Sequence, residues 1–163
     1  MKIYDIAKYL IKEYPECCLA YNGIGEESDW EYYDRPLVED CLSEFDKMLG
    51  LCGCGNPEYT HMVIRELLEA IYEYDFKDGK RNYNYDKESY DKKWNRIDNI
   101  LGIERLNTRD NKAYYGMIQF MMYELDSCGF LEHGSSIGGA WITDLGIMYL
   151  EVLKMAQKYE EEE

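Results

Sequence analysis

FLEHGSSIGGAWITDLG, residues 130–146, is the stretch whose reading decides the fold. The short runs FLEH and AWIT flank the glycine-rich GSSIGG, which is the pattern of two strands around a tight tip. Thr143 and Asp144 then open a run in which Leu145, Met148, Tyr149, Val152, Leu153 and Ala156 recur at helical spacing. The alternation expected of a strand is confined to this hairpin. Elsewhere apolar residues return every three or four positions, so the chain reads as mainly α with one small β-hairpin.

Working outward, Thr108 caps a helix carrying Ala113, Met117, Phe120, Met121, Leu125 and Cys128, and Gly129 stops it. A helix near Ser89 turns Trp94, Ile97, Ile100 and Leu101 inward and closes at Gly102. Residues 75–87 have no helical stripe and contain Gly79, so they form a loop or a short irregular hairpin. Asn56 and Pro57 mark the start of a helix that buries Met62, Val63, Leu67, Ala70, Ile71 and Tyr74. Asp34 and Pro36 start another, with Leu37, Cys41, Leu42, Phe45, Met48 and Leu49 on its apolar side and Gly50 at its end. The first helix covers 3–14, ending at Pro15. A chain of 163 residues is the size of one domain. Within it, residues 1–107 form a helical region with an acidic loop at 16–35, residues 108–158 contain the hairpin, and residues 159–163 are an acidic tail.

Charge is the strongest compositional signal. Asp and Glu number 33 against 18 Lys and Arg, a net charge of −15. Residues 1–75 balance at −11, residues 76–112 at +3 and residues 113–163 at −7. Such a surface repels phosphate backbones and anionic lipid, leaving 76–112 as the one segment that attracts an anion locally. The N-terminal helix is broken by Lys8, Lys12 and Glu13, unlike a signal peptide, and no run reaches the roughly 18 apolar residues of a membrane span. The expected location is the cytoplasm. There the six cysteines stay reduced, and Cys41 and Cys128 read as packing residues.

The order helix, FLEH, GSSIGG, AWIT, helix resembles the second half of a winged helix, so residues 108–158 are expected to be winged-helix-like. The string CGCGNPE at 52–58, taken with Gly129, Glu132, His133, Gly134, Ser136, Gly139, Trp141, Thr143 and Gly146, is similar to small bacteriophage and prophage proteins of uncharacterised function. That resemblance implies a phage or mobile-element origin and a bacterial host cell, and it brings no activity with it. A winged helix that grips DNA needs cations on its wing, because phosphate contacts supply much of the affinity. Here no Lys or Arg stands between Lys112 and Lys154. A DNA-binding regulator using residues 92–112, with Arg105, Arg109 and Lys112 on phosphate, is therefore the alternative.

The preferred expectation is a non-enzymatic interaction module whose acidic surface engages a basic protein. One form is an inhibitor of a nucleic-acid-binding host protein that presents carboxylates in place of phosphates. Glu26, Glu27, Asp29 and Glu31, interleaved with Trp30, Tyr32 and Tyr33, form the candidate contact surface, since aromatic rings add contact area at little entropy loss. Cys52, Cys54 and His133 have zinc-ligand chemistry, but a CxC pair without a second cysteine pair does not match the usual spacing. No metal or cofactor is expected. Glu132 and His133 are adjacent, so on a strand they point to opposite faces, and no nucleophile elbow accompanies them. His133 is expected to bond the backbone of the hairpin tip, and Trp141 to anchor the hairpin in the core.

Overall fold

The structure, a computed structural model, describes residues 1–17, 19, 34–51, 57–100 and 108–162. Among these the chain is mainly helical, with six α-helices and two small antiparallel two-stranded sheets. It divides into two compact units, one formed by Met1–Gly55 with Met148–Glu163 and the other by Asn56–Ile147.

The first unit contains α1 (Ile3–Glu13), α2 (Asp34–Met48) and most of α6 (Asp144–Glu161). The i, i+3, i+4 spacing of Ile3, Ile6, Ala7 and Leu10 puts all four on the buried side of α1. From α2 the buried residues are Val38, Cys41, Glu44 and Phe45. Phe45 stacks on Tyr149 at 4.9 Å between ring centroids, and the Tyr149 hydroxyl donates to Asp46 Oδ1 at 3.4 Å. Helix α6 runs to Glu161, so much of the acidic tail is helical.

The second unit begins with α3 (Pro57–Asp75), which buries Val63, Ile64, Leu67, Leu68, Ala70 and Ile71. Met62 is exposed and Tyr74 half-buried, so the inward stripe is rotated toward Ile64 and Leu68 from the one the spacing suggested. Segment 75–87 does form a hairpin. Strands β1 (Phe76–Lys77) and β2 (Lys80–Arg81) pair antiparallel around Asp78 and Gly79, both at positive φ, the geometry that an Asp-Gly two-residue turn supplies. Asp86 then caps α4 (Lys87–Asp98), accepting from the Ser89 amide and hydroxyl at 2.8 Å each.

Helix α5 (Thr108–Ser127) ends at Gly129, whose φ of +81° lets Phe130 N donate back to Leu125 O at 2.9 Å. Its inward residues are Ile118, Met122 and Leu125, while Met117 and Phe120 face outward. Both rows obey helical spacing and both are apolar. Packing of α5 against the second hairpin decides which row is inside. In that hairpin β3 (Leu131–Glu132) pairs with β4 (Trp141–Ile142), and a single 3-10 turn at Ile137–Gly139 forms the tip. Thr143 caps α6: its Oγ1 accepts from Gly146 N at 3.0 Å and donates to Gly129 O at 2.6 Å.

Gly146 brings α6 close against the backbone of the hairpin. A Cβ there would overlap the Phe130 carbonyl oxygen and come within 2.8 Å of Ile142 Cγ1, whereas one at Gly116 would meet open space. Neither obstacle moves freely. Gly146→Ala should therefore destabilise the protein by about 2–3 kcal/mol, while Gly116→Ala should be neutral or stabilise by up to about 1 kcal/mol, both read by denaturant unfolding.

Candidate functional site

A two-residue strand such as β4 has backbone groups pointing away from its partner, and these need bonds if they are buried. Asp75, the last residue of α3, places Oδ2 2.7 Å from the Ile142 amide, and Arg81 in β2 donates from Nη2 to the Ile142 carbonyl at 3.0 Å. Arg81 also faces Asp75 at 3.9 Å and lies over the Phe76 ring. One side chain from the end of α3 and one from the first hairpin thus take the place of a third strand beside β4. Asp75 is only 1% exposed, and its Oδ1 has no hydrogen-bond partner among the described residues. Burial pushes its carboxyl above the usual range, and the Ile142 amide, Lys93 and Arg81 pull it partly back.

Lys93 completes this seat from α4. Its Nζ lies 4.3 Å from the centre of the Tyr74 ring, 5.2 Å from Tyr90 and 5.9 Å from Trp94, and reaches the Gly138 carbonyl at a long 3.4 Å. At 4% exposed, the ammonium is desolvated, which lowers its pKa to about 8 against a pull upward from Asp75. Trp94 packs beside the tip, since a Cβ on Gly138 would stand 3.4 Å from the indole. A small cleft of about 170 Å³ opens next to it, with Tyr74, Ser89, Lys92 and Lys93 in its wall. Nearby, Arg96 joins α4 to α3 through Glu66 at 3.6 Å, Glu69 at 3.0 Å and Glu73 at 2.5 Å. Arg81, Lys93 and Arg96, three cations of the net-positive segment, are thereby engaged inside the unit.

The outer side of the hairpin has the opposite character. Exposed Glu132 accepts from Trp141 Nε1 at 3.2 Å across the strand pair, so Trp141 is half-buried on this face, contrary to the expected core anchor. Ile142, its neighbour, takes the buried position. His133 Nδ1 pairs with Asp126 Oδ1 of α5 at 2.9 Å, and its ring meets Tyr123 edge to face at 5.7 Å. The expected bond from His133 to the tip is thus replaced by a tie to α5; the tip is held instead by the Ser136 hydroxyl, which accepts from Gly138 N. Glu132 and Asp126 are the carboxylates that these contacts place here, in a stretch of sequence with no Lys or Arg between Lys112 and Lys154.

Other sites named from sequence fall elsewhere. Glu26, Glu27, Asp29, Trp30, Glu31, Tyr32 and Tyr33 lie outside the described residues, as do Cys52, Cys54 and Arg105. Arg109 and Lys112 are placed only as positions on α5. Among the described residues no group of three His, Cys, Asp or Glu side chains is arranged to hold a metal ion. No described helix is long and apolar enough to cross a membrane. The first unit carries a cleft of about 890 Å³ floored by Ile3, Tyr4, Val38 and Met155, whose rim alternates Lys2, Lys8 and Lys158 with Asp5, Asp34 and Glu162. That rim selects no charge class. Comparison with protein families, curated proteins and solved structures finds no match for the chain.

The seat went unseen in the sequence because its partners lie 45 to 67 residues apart. It predicts a pH effect. The folded Lys93 loses its proton near pH 8 and the unfolded one near 10.5, so between these values the unfolded chain binds more protons and stability rises with pH. At about 1.4 kcal/mol per pH unit the Lys93 contribution approaches about 3 kcal/mol across the window. Urea unfolding at pH 7.5 and 9.5 should show a rise in the wild type that Lys93→Met lacks.

Proposed function

We propose that the protein is a non-enzymatic interaction module that engages a basic protein through carboxylates interleaved with aromatic rings. Helix α5, the second hairpin and α6 are read as a winged-helix-like region whose wing has the reverse of a DNA-binding charge. The observation carrying this reading is the outer face of that hairpin, where Glu132 and Trp141 are coupled, in a stretch of sequence with no Lys or Arg between Lys112 and Lys154. Residues 26–33, where Glu26, Glu27, Asp29 and Glu31 alternate with Trp30, Tyr32 and Tyr33, carry the same chemistry in the sequence. A partner with a phosphate-binding groove fits both, because carboxylates can occupy places otherwise taken by phosphates. The resemblance to phage proteins suits an inhibitor of a host nucleic-acid-binding protein, acting in the bacterial cytoplasm.

The second reading, a DNA-binding regulator using residues 92–112 with Arg105, Arg109 and Lys112 on phosphate, lies in the net-positive segment, where Lys77, Lys80, Lys87 and Lys92 are also exposed. Asp78, Asp86, Glu88 and Asp91, all exposed, lie among them and offset that charge. Affinity capture from host lysate with mass spectrometry, paired with anisotropy on random duplex DNA, separates the two. The expected outcome is negligible DNA binding and capture of a basic protein. Its affinity should fall about tenfold or more between about 50 and 300 mM salt, and again when Glu26, Glu27, Asp29 and Glu31 become amides. Tight DNA binding abolished by Arg105→Ala, Arg109→Ala and Lys112→Ala would overturn the proposal in favour of the regulator.

A further inference from the structure

Lys93 is a buried amine whose bonding the seat leaves incomplete. An ammonium carries three donors, and the hydrogen bond that Nζ makes among the described residues is the long 3.4 Å contact with Gly138 O. Its other neighbours are aromatic, with the ring centres of Tyr74, Tyr90 and Trp94 at 4.3, 5.2 and 5.9 Å. Lys93 also forms part of the wall of the cleft of about 170 Å³, together with Tyr74, Ser89 and Lys92. That volume equals roughly five or six waters at about 30 Å³ each, the size of a two- or three-carbon acid. Glu73 and Arg96, in the same wall, neutralise one another, whereas Lys92 is exposed.

We propose that Lys93 captures carbonyl compounds: its amine condenses reversibly with a small 2-oxo acid that enters the cleft, and Lys92 pairs with the carboxylate of that acid. The unprotonated nitrogen adds to the carbonyl carbon, forming the C–N bond, and the carbonyl oxygen then leaves as water. Counted from the ammonium, two of its three protons depart in that water and the third stays on the iminium. The positive charge is conserved, so the rings and the Asp75 carboxylate that act on the ammonium act equally on the iminium. Desolvation supplies the nucleophile. With burial lowering Lys93 to about 8, roughly a quarter of it is free amine at about pH 7.5, against about a thousandth for a lysine at its ordinary value. The aromatic wall limits the water that would hydrolyse the adduct. The charge of Lys92 favours an acid over a neutral aldehyde of the same size.

This chemistry draws on the seat alone and is independent of the basic-partner reading. Glyoxylate with cyanoborohydride tests it on the full wild-type chain, because hydride reduces the iminium carbon and leaves a stable carboxymethyl-lysine. After brief reaction at about pH 7.5, peptide mapping by mass spectrometry should find Lys93 modified about tenfold or more faster than the exposed Lys77, Lys80 and Lys87. That lead should vanish in denaturing urea, where the enclosure is lost. It should also narrow severalfold by about pH 9.5, as ordinary lysines begin to deprotonate. Acetaldehyde, which lacks the carboxylate, should show a smaller lead at Lys93. Lys92→Met, at an exposed position, should keep the wild-type circular dichroism and reduce the glyoxylate lead toward the acetaldehyde value. Lys93 reacting no faster than the exposed lysines, or keeping its lead in urea, would overturn the proposal. A lead indifferent to both Lys92→Met and the loss of the carboxylate would overturn the assignment of an oxo acid.

Discussion

A carboxylate at the end of α3 holds the amide of Ile142, and the position of the second hairpin depends on that bond. Strands of two residues cannot stabilise one another in isolation. What keeps β3 and β4 in place is the seat beneath them: Asp75 and Arg81 satisfy both backbone groups of Ile142, and Lys93 reaches the carbonyl of Gly138 at the tip. These charges are expensive to bury, as the raised carboxyl of Asp75 and the lowered ammonium of Lys93 record. Once they are buried together, removing one partner strands another, typically at about 3–5 kcal/mol. The seat therefore specifies where the hairpin lies more than it adds to net stability.

That arrangement divides the charges of the second unit by role. Arg81, Lys93 and Arg96 turn to internal partners, and the outer face of the hairpin keeps Glu132 beside Trp141. A segment positive by count thus offers fewer free cations than its sequence indicates.

Much of the secondary structure was legible because its signals are local. Pro57, Gly129, Thr143 and the Asp78-Gly79 turn act within a few residues of their own positions, and the helix and hairpin boundaries follow them. The orientation of α5 was not legible, since Met117 and Phe120 form as good an apolar row as Ile118 and Met122, and only packing against the hairpin separates the two. The same ambiguity misplaced Met62. The site was less accessible still: Asp75 fell in the segment read as a loop or irregular hairpin and Lys93 carries no local mark of burial, although the rings of Tyr90 and Trp94 close to it in sequence were a signal of an enclosed ammonium. The acidic and aromatic character of the hairpin could be read directly, whereas the pairing of Glu132 with Trp141 and of His133 with Asp126 required the fold.

Hydrogen exchange at the Ile142 amide tests the dependence of the hairpin on its seat most directly. In the wild type this amide should exchange slowly, as a buried donor on a carboxylate does. In Asp75→Ala its protection, with that of the neighbouring hairpin amides, should fall by about tenfold or more while Leu67 and Ile71 in α3 remain protected. Unchanged protection at Ile142 in that variant would contradict the account, because the hairpin would then be held in place without the carboxylate.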